Sequence, residues 1–267
     1  MPELPEVEIV RKSLSKNVTG KIVTDVRVYN RNLRFKLSKD FRQQLINKRI
    51  KQIDRFSKYL IFIFTDNSYC VIHLGMSGTI HLSRSKLNKK FTNTSFYHSP
   101  HLPKRHNHVE MKFKDLILIY NDPRRFGYIL FFKNRDELIQ KFKNYGPEPF
   151  SKKFNLKYIQ SYFKNKNKNI KNYLLDQKFV SGIGNIYASE ILFEAKINPV
   201  KQVNFLSVYQ INQIIKNSKK VLKKSIFKGG SSIRDFKNIT GGKGSYQNEF
   251  KVYDRENLNC LRKYCKG

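Results

Sequence analysis

The first eight residues hold groups that could carry out covalent catalysis. Removal of the initiator methionine, which a small second residue permits, leaves Pro2 as a terminal secondary amine beside the carboxylate of Glu3. Such an amine condenses with an aldehyde-like carbon to an iminium, which is cationic without further protonation and acts as an electron sink. Pro5 and Glu6 are typical of a helix start, so an acidic, proline-capped surface helix is the alternative interpretation. These residues alone leave both interpretations open.

Two glycine-flanked turns carry side chains of the kind that enter a DNA duplex. Residues 73–78 include Met76, and residues 122–127 include Arg124 and Phe126. Each turn alone has an ordinary explanation, because methionine commonly fills cores and neighbouring arginines are commonly solvated. Together they supply what a protein needs to wedge into a duplex, fill the space left by an extruded nucleotide and pair with its orphaned partner.

Three further features could contact phosphate. Lys58 lies between two predicted strands, where a surface lysine is the favoured interpretation and an ammonium directed at phosphate the alternative. Residues 181–187 place glycines at a helix start, where backbone N–H groups can face an anion, although an ordinary interhelical turn is favoured. His106 and His108 alternate and are predicted to project the same way, as phosphate contacts or plain surface.

The cysteines do not predict a complete metal site. Cys260 and Cys265 form a Cys-x4-Cys pair, which is possible as half of a zinc site, while Cys70 lies in a predicted strand as a buried small residue. A stable zinc site needs four ligands, so we do not expect structural zinc. Three cysteines are also too few for a disulfide framework, and we expect a reducing, cytoplasmic location.

The charge of the chain indicates a polyanionic partner. The 267 residues include 53 Lys or Arg against 20 Asp or Glu, a formal net charge of +33. Nucleic acid is the leading candidate, although lysine-rich composition, as in residues 164–170, also produces solvated surfaces. No run of 18 apolar residues and no secretory signal are visible, so we expect a globular protein without a membrane span.

The chain divides by its periodicity. Short alternating runs before residue 133 predict an antiparallel sandwich behind a leading helix, interrupted at residues 83–105 by a long insertion without periodicity. The Gly-Pro-Glu-Pro sequence at 146–149 predicts a boundary, and four apolar stripes with helical spacing follow it. A glycine-rich tail ends in a predicted hairpin at residues 250–253. We therefore expect domains at 1–146, 147–227 and 228–267.

With these features in view, the chain resembles the bacterial formamidopyrimidine-DNA glycosylases from Met1 to about Tyr253. The motifs that carry the resemblance are residues 2–8, 73–78, 122–127, 146–149, 182–190 and 229–236. The resemblance implies an α+β multidomain fold: an N-terminal helix with an antiparallel β-sandwich, a helix-two-turns-helix domain and a C-terminal zinc finger, here a short hairpin tail with an incomplete finger.

The resemblance also implies roles for individual residues. Pro2 would be the nucleophile at C1′ of the damaged nucleotide, and Glu3 would move protons as the sugar ring opens. Glu6 would support the pocket, and Lys58 would contact phosphate and assist proton transfer. The implied DNA contacts are Met76, His106, Arg124, Phe126, Lys166, Lys168, Asn185 and Tyr187, and the residues that would cover the extruded base are Arg234 and Tyr246.

The implied activity is excision of oxidised purines, such as 8-oxoguanine and formamidopyrimidines, from duplex DNA, followed by β,δ-elimination. We expect a monomer that needs no cofactor for this chemistry. The family finger has two Cys-x2-Cys pairs, whereas this sequence has one widened pair, and the family phosphate-binding lysine aligns with Asn167. Weaker DNA binding is expected, partly offset by the positive charge. The alternatives are an endonuclease VIII-like enzyme for oxidised pyrimidines and a non-catalytic nucleic-acid-binding protein.

Overall fold

A computed structural model describes residues 1–84, 90–92, 103–231, 244–262 and 265. The chain forms two compact units, which are described separately below. Unit 1 comprises Met1–Lys143 with Gly229–Gly244, and unit 2 comprises Asn144–Lys228 with Ser245–Gly267. Among the described residues, no helix is both long and apolar enough to cross a membrane.

Unit 1 is an antiparallel β-sandwich preceded by a helix, as predicted. Its elements in chain order are α1 (Leu4–Val18), β1 (Asp25–Val28), α2 (Phe41–Leu45), β2 (Ile50–Phe56), β3 (Tyr59–Phe64), β4 (Tyr69–His73), β5 (Thr79–Arg84), β6 (Lys90–Thr92), β7 (Asn107–Lys112), β8 (Leu116–Asn121), β9 (Tyr128–Phe132) and α3 (Arg135–Phe142), with a 3-10 turn at Lys104–His106 before β7. The strands pair in the orders β1-β7-β8-β5-β6 and β2-β3-β4-β9.

Helix α1 is fixed by its apolar stripe. Val7, Val10, Leu14 and Val18 recur at helical spacing, are fully buried and belong to the same core cluster as the strands of the sandwich. Burying four such side chains contributes several kcal/mol, about 1.5–3 kcal/mol for each one. The start of the helix is therefore held in place on the sandwich, and it does not fray as most chain termini do.

Three elements of unit 1 differ from the prediction. Helices α2 and α3 were not expected, and α3 buries none of its residues, so it lacks the apolar stripe that periodicity detects. Its start is fixed locally instead, by the side chain of Asn134, which accepts a hydrogen bond from the backbone of Glu137. The predicted insertion at 83–105 contains strand β6, paired with β5; residues 85–89 and 93–102 lie outside the described part of the chain.

Unit 2 is helical, and all four predicted stripes are helices. They are α4 (Leu156–Phe163), α5 (Ile170–Leu175), α6 (Asn185–Glu194) and α7 (Val208–Phe227), with 3-10 turns at Val203–Phe205 and Tyr246–Glu249. The hairpin expected at 250–253 is absent: none of these residues lies in a strand. The reason is that the backbone N–H groups of Lys251, Val252 and Tyr253 donate to the carboxylate of Glu190 and not to a neighbouring strand.

Candidate active site and nucleic-acid interface

The start of α1 buries two carboxylates next to Pro2. Glu3 is the N-cap residue, and it forms a capping box with Glu6 in which the Glu3 N–H donates to Oε2 of Glu6 at 2.9 Å. Both glutamates are 3% exposed, whereas Pro2 is partly exposed. The helix dipole favours negative charge at this end. Pro2 therefore lies on a rigid support, with an opening to solvent.

The second oxygen of Glu6 binds a segment from the far end of unit 1. Oε1 accepts hydrogen bonds from the backbone N–H of Ser231 at 2.9 Å and from its hydroxyl at 3.0 Å. Gly230, at φ +80°, makes this close approach possible, because a Cβ there would lie 3.2 Å from the same oxygen. Glu6 thus joins α1 to residues 229–231. Sequence analysis missed Ser231, although it falls within the motif at 229–236.

Lys58 faces the same carboxylates. It lies in the turn between β2 and β3, next to Ser57 in the left-handed region at φ +56°, and is 6% exposed. Burial lowers the pKa of Lys58, and the charges of Glu3 and Glu6 only partly offset this effect. The surface-lysine interpretation is therefore wrong. Two carboxylates and one ammonium share a buried site, which is an arrangement suited to proton transfer.

An ion-pair network connects α1 to the turn that carries Lys58. Arg55 donates from Nε to Glu8 at 3.0 Å and from Nη1 to the carbonyl oxygen of Ser57 at 2.9 Å. Burial acts to raise the pKa of Glu8, but Arg11 and Arg55 outweigh it, so the pKa is lowered and the carboxylate stays ionised at neutral pH. This network, which sequence analysis missed, fixes the position of Lys58 relative to the helix.

The two predicted wedge turns are in direct backbone contact. Gly75 has φ +63°, and a Cβ at that position would lie 2.4 Å from the backbone nitrogen of Gly127. Met76 and Phe126 are 46% and 43% exposed, although large apolar side chains are usually buried. The guanidinium of Arg124 lies 4.6 Å from the centroid of the Phe126 ring. The structure therefore brings the three predicted wedge residues onto one pair of joined turns.

Asp122 fixes the geometry of these turns. It is fully buried and accepts hydrogen bonds from the Ser77 hydroxyl, from Gly127 N–H at 2.8 Å and from the Tyr120 hydroxyl at 3.1 Å. The Ser77 hydroxyl in turn accepts from the backbone of Arg124 at 3.1 Å. One carboxylate thus holds both turns, and the exposed side chains stand on a rigid base.

His106 borders the same turn, but His108 does not share its exposure. The carbonyl of His106 accepts from Asp122 N–H at 3.0 Å, and its partly exposed ring has a pKa lowered by burial and by Arg105. His108 is 2% exposed, with Nε2 2.7 Å from the carbonyl oxygen of Asp122. The two histidines therefore differ in exposure, and the register of β7 with β8 shifts between Asn107 and Val109.

His73 was not predicted to have a role of its own. Its Nδ1 accepts from the Gly75 N–H at 3.1 Å, and its ring is stacked on Tyr128 at a centroid distance of 5.2 Å. Burial, with further contributions from Lys58 and Arg34, lowers the pKa of His73 to about 4. The imidazole is therefore neutral at pH 7, and it connects the surroundings of Lys58 to the turn that carries Met76.

The remaining predicted contacts lie in unit 2, apart from Arg234. Asn185 is the exposed first residue of α6 and Lys168 is exposed, whereas the ammonium of Lys166 lies 3.3 Å above the centre of the Tyr162 ring. Arg234 lies outside the described residues. The predicted site is therefore described in two parts, one in each unit.

Two predicted side-chain contacts need correction. Tyr187 is fully buried, with its hydroxyl 2.5 Å from that of Ser225, so its ring is not available to DNA. Tyr246, expected to cover an extruded base, is 3% exposed and packs against Tyr187 at a centroid distance of 5.8 Å. Both rings belong to the core of unit 2 because they fill the space between its helices and its C-terminal segment.

The described residues do not fit a zinc site. Cys260 is partly buried and Cys265 is exposed, and neither forms a disulfide bond within the described part of the chain. Within the described part of the chain, no group of three or more His, Cys, Asp or Glu side chains is arranged to hold a metal ion. A structural zinc site takes four protein ligands, and the cysteines of the described C-terminal segment supply two at most.

Comparison with known proteins agrees with this geometry. Family models of the formamidopyrimidine-DNA glycosylase N-terminal domain and H2TH domain match residues 1–129 and 145–237. The formamidopyrimidine-DNA glycosylase of Roseobacter denitrificans is 36% identical over 269 residues, covering 100% of this chain and 93% of the relative. That of Rickettsia bellii is 39% identical over 264 residues, covering 98% and 91%.

Solved structures give the same result. A Lactococcus lactis FPG mutant in complex with a Fapy-dG containing DNA superposes with a TM-score of 0.84 at 34% identity, over 98% of this chain and 92% of that one. MutM in complex with a carbocyclic 8-oxo-G containing DNA gives 0.84 at 35% identity, over 98% and 91%. The helix, sandwich and helical unit described above thus have full-length counterparts, and the chain belongs to the formamidopyrimidine-DNA glycosylase family.

Proposed function

We propose that this chain is a base-excision DNA repair enzyme, which removes oxidised purines from duplex DNA and then cuts the strand. The observation that carries the proposal is the buried site of Glu3, Glu6 and Lys58 at the start of α1, beside a partly exposed Pro2. A structural helix start does not need a buried ammonium facing two buried carboxylates, since burying charges is costly. Such clusters are typical of active sites.

The proposed reaction begins after release of Met1. The nitrogen of Pro2 attacks C1′ of the damaged nucleotide, forming an N–C bond as the glycosidic bond breaks, and the base leaves with a proton taken from solvent. Glu3 accepts the proton that the Pro2 nitrogen loses and transfers it to the ring oxygen, so the sugar ring opens to an iminium. The iminium acidifies the 2′ hydrogen, whose loss expels the 3′ phosphate, and loss of the 4′ hydrogen from the conjugated iminium then expels the 5′ phosphate. Water finally hydrolyses the adduct. This sequence uses no cofactor.

Glu6 and Lys58 support these steps in different ways. Glu6 uses both oxygens in hydrogen bonds to Glu3 and Ser231, so it positions the reacting carboxylate and does not carry the proton itself. Lys58, whose pKa is lowered by burial, contacts a phosphate near the lesion through its ammonium and assists proton transfer.

DNA distortion is assigned to the joined turns. Extruding a nucleotide costs a few kcal/mol, and a damaged base lowers that cost. Met76 and Phe126 are the apolar wedges, Arg124 pairs with the orphaned base, and His106 contacts a phosphate. In unit 2, Asn185, Lys166 and Lys168 are proposed to contact phosphates. The net charge of +33 favours this binding and predicts a strong dependence on salt.

The proposal also covers the substrate class and the role of each part of the chain. The solved relatives are complexes with Fapy-dG, 8-oxo-G and abasic-site DNA, and we assign the corresponding oxidised purines to this chain. Residues 1–146 would carry the chemistry, 147–227 would bind the DNA backbone, and 228–267 would form the lesion loop and a finger-like tail. We propose that the enzyme acts as a monomer in the cytoplasm, on the bacterial nucleoid.

Borohydride trapping tests this function. The protein is mixed with a duplex containing 8-oxoguanine, reduced, and compared with the Pro2→Gly variant and with an undamaged duplex. We expect a covalent adduct on damaged DNA alone, strongly diminished in Pro2→Gly while DNA binding is kept. Binding without any adduct would show a non-catalytic DNA-binding protein. Preferential trapping on an oxidised pyrimidine duplex would show the endonuclease VIII type of specificity.

A further inference from the structure

Unit 2 exposes a group of apolar side chains between α6 and the start of α7 that the proposed function does not use. Val200, Phe205, Val208 and Tyr209 lie within residues 200–209, here called the apolar segment, and are 49–70% exposed. Single exposed apolar side chains are common, but a group of them rimmed by polar residues is typical of an interaction site. The apolar segment is therefore a candidate binding surface.

A cavity of about 470 Å³ lies beside the apolar segment. Its lining includes the rings of Phe205 and Tyr209, together with Ala195 and Lys196 just beyond α6. Ligand pockets commonly have volumes of about 300–1,000 Å³, so this cavity suits a few side chains and not a folded domain. Aromatic residues are enriched at the centres of protein interfaces, where a polar rim surrounds them.

Hydrogen bonds fix the backbone that carries these side chains. Ser207 caps α7, and the side-chain oxygen of Gln210 accepts from the Ser207 N–H at 3.1 Å and from the ammonium of Lys201 at 2.9 Å. The Val203 N–H donates to the carbonyl oxygen of Lys168 at 3.2 Å. The exposed rings thus stand on ordered backbone, so a partner that covers them loses little free energy to ordering.

The cavity lies at the opposite end of α6 from the proposed phosphate contact. Asn185 is the first residue of the helix, whereas Glu194, its last residue, lines the cavity. At 1.5 Å per residue these two positions are about 14 Å apart along the helix axis. The cavity therefore is not a continuation of the proposed phosphate contact at Asn185.

The charge of this region indicates an acidic partner. Residues 195–228 contain eight lysines and no aspartate or glutamate. The carboxylate of Glu194 lines the cavity, but it lies 2.9 Å from the ammonium of Lys220. A second copy of this chain would bring the same lysines and a net charge of +33, which opposes self-association. Complementary charge favours a negatively charged partner instead.

The arrangement of apolar and charged groups favours a peptide over a nucleic acid. The apolar segment contains a single lysine, Lys201, whose ammonium is hydrogen-bonded to Gln210, and the other lysines of the region are at 196 and from 216 onwards. Every nucleotide carries a phosphate, so a nucleic-acid strand would place phosphates over the aliphatic side chains of Val200 and Val208. A peptide can instead place apolar side chains at its centre and carboxylates on either side.

We propose that the apolar segment and its cavity bind an acidic peptide segment of another protein, in which one or two large apolar side chains are flanked by aspartate or glutamate. Phe205 and Tyr209 contact the apolar side chains, and Lys196 attracts a carboxylate. The interaction goes beyond the proposed function, because it uses none of the side chains assigned to the reaction or to DNA.

Binding of a defined peptide to the full-length protein tests the proposal. The probe is a fluorescent peptide of aspartate and glutamate with phenylalanine and leucine at its centre, and its anisotropy is measured as protein is added. Phe205→Ser combined with Tyr209→Ser should weaken binding by about fivefold or more, because large aromatic side chains dominate such interfaces. Phe227→Ser is the matched control, since Phe227 is 87% exposed at the end of α7 and lies outside the cavity. It should leave binding unchanged.

Further measurements separate apolar contact from general attraction to lysines. A peptide with serine in place of phenylalanine and leucine should bind the wild-type protein as weakly as the original peptide binds the double variant. Lys196→Gln should weaken binding by about two- to threefold, as expected for one exposed ion pair. In hydrogen exchange, the original peptide should slow exchange in residues 200–213 of the wild-type protein. The double variant should keep the wild-type melting temperature, because Phe205 and Tyr209 are largely exposed.

Several outcomes would overturn the proposal. Equal weakening by Phe227→Ser and by the double variant, or equal binding of the serine peptide, would mean that charge alone accounts for the binding. Stronger protection of residues 200–213 by a short thymidine strand than by the peptide would indicate a nucleic-acid surface. Self-association that is lost in the double variant would indicate a contact between copies. Borohydride trapping reports on the proposed function separately, since the protein can trap DNA whether or not it binds the peptide.

Discussion

Glu6 in unit 1 and Glu190 in unit 2 are buried on helices, and each accepts hydrogen bonds from backbone far along the chain. Glu6 binds Ser231, and Glu190 binds residues 251–253. Their surroundings differ: Glu6 shares its site with Glu3 and the buried ammonium of Lys58, whereas Glu190 faces backbone amides beside an aromatic core. In the proposed function, the same arrangement of hydrogen bonds supports chemistry in unit 1, where a second carboxylate and a cation accompany it.

The difference has an energetic origin. A buried carboxylate without partners would cost several kcal/mol, so each glutamate must be satisfied by hydrogen bonds. In unit 2 the amides of one short segment satisfy Glu190, and the result is stability. In unit 1 the hydrogen bonds to Glu6 also hold Glu3 beside an ammonium whose own burial is unfavourable. Unit 1 thus retains a buried charge, that of Lys58, which stability alone would not favour.

The largest effect on the excision rate is expected when Glu3, the proposed proton-transfer group, is replaced. Glu3→Gln should lower single-turnover excision of 8-oxoguanine by about 10²- to 10⁴-fold, which is the usual contribution of a positioned proton-transfer group. The melting temperature should change little, because the amide keeps the size and much of the polarity of the side chain. Glu190→Gln is the control and should leave the rate within a few-fold. Comparable rates for the two variants would contradict the assignment of Glu3.

Removing the charge of Glu6 or of Glu190, which each bind a distant backbone segment, should lower the free energy of unfolding by similar amounts. In Glu6→Gln the amide can accept with one oxygen only, so an N–H of Glu3 or Ser231 is left facing an NH₂ group. We expect a loss of about 2–3 kcal/mol in Glu6→Gln and in Glu190→Gln, measured by denaturant unfolding. The excision rate should fall in the first variant alone. A fall in both would mean that unit 2 shares the reactive geometry.

The pH dependence of stability should belong to unit 1. All six histidines lie between residues 73 and 108. With its pKa lowered to about 4, His73 takes up a proton near pH 6.5 only when the chain is unfolded, so stability is full above that pH and declines as the pH falls towards the folded pKa. Between pH 6.5 and 5 the loss should be about 1–2 kcal/mol after allowance for partial exposure.

Hydrogen exchange at the two pH values measures this loss in each unit separately, once intrinsic exchange rates are taken into account. Core amides of β4 and β9 should lose protection, while those of α7 should not. His73→Gln should flatten the dependence in unit 1. An equal loss of protection in both units would indicate that another group, and not His73, sets the acid sensitivity.

The smallest effect is expected when a single serine hydroxyl is removed, from Ser231 in unit 1 or from Ser225 in unit 2. The Ser231 hydroxyl donates to Glu6 at 3.0 Å, and that of Ser225 lies 2.5 Å from the Tyr187 hydroxyl. Replacing either serine with alanine should cost about 1 kcal/mol. Ser231→Ala should also slow excision several-fold, with Ser231→Thr restoring it, whereas Ser225→Ala should not affect the rate. No kinetic difference between the two alanine variants would mean that Ser231 does not position Glu6.

Local patterns were sufficient to predict most elements and the wedge turns. Apolar stripes identified α1 and all four helices of unit 2, because each buries one face, and the glycines at 75 and 127 marked turns that contact each other. The apolar spacing did not predict which residues at the start of α6 are exposed to solvent. Asn185 is exposed and Tyr187 is buried, because two residues along a helix are about 200° apart.

Contacts between distant parts of the chain could not be predicted. Ser231 donates to a glutamate 225 positions earlier, and Lys251 to one 61 positions earlier, so neither bond leaves a local signal in the sequence. The burial of Lys58 was missed for the same reason: its carboxylate neighbours come from another element. The hairpin predicted at 250–253 does not form, because the side chain of Glu190, and not a neighbouring strand, accepts the hydrogen bonds of this backbone.

The central claim is that Pro2, and no other amine, attacks the sugar. Lys58 is its one serious rival, because burial lowers its pKa and increases the neutral, nucleophilic fraction. Borohydride-trapped protein on 8-oxoguanine duplex should be digested, and the peptide bearing the sugar remnant mapped by mass spectrometry. We expect the adduct on the N-terminal peptide, at residue 2. An adduct on the peptide that contains Lys58 would contradict the account.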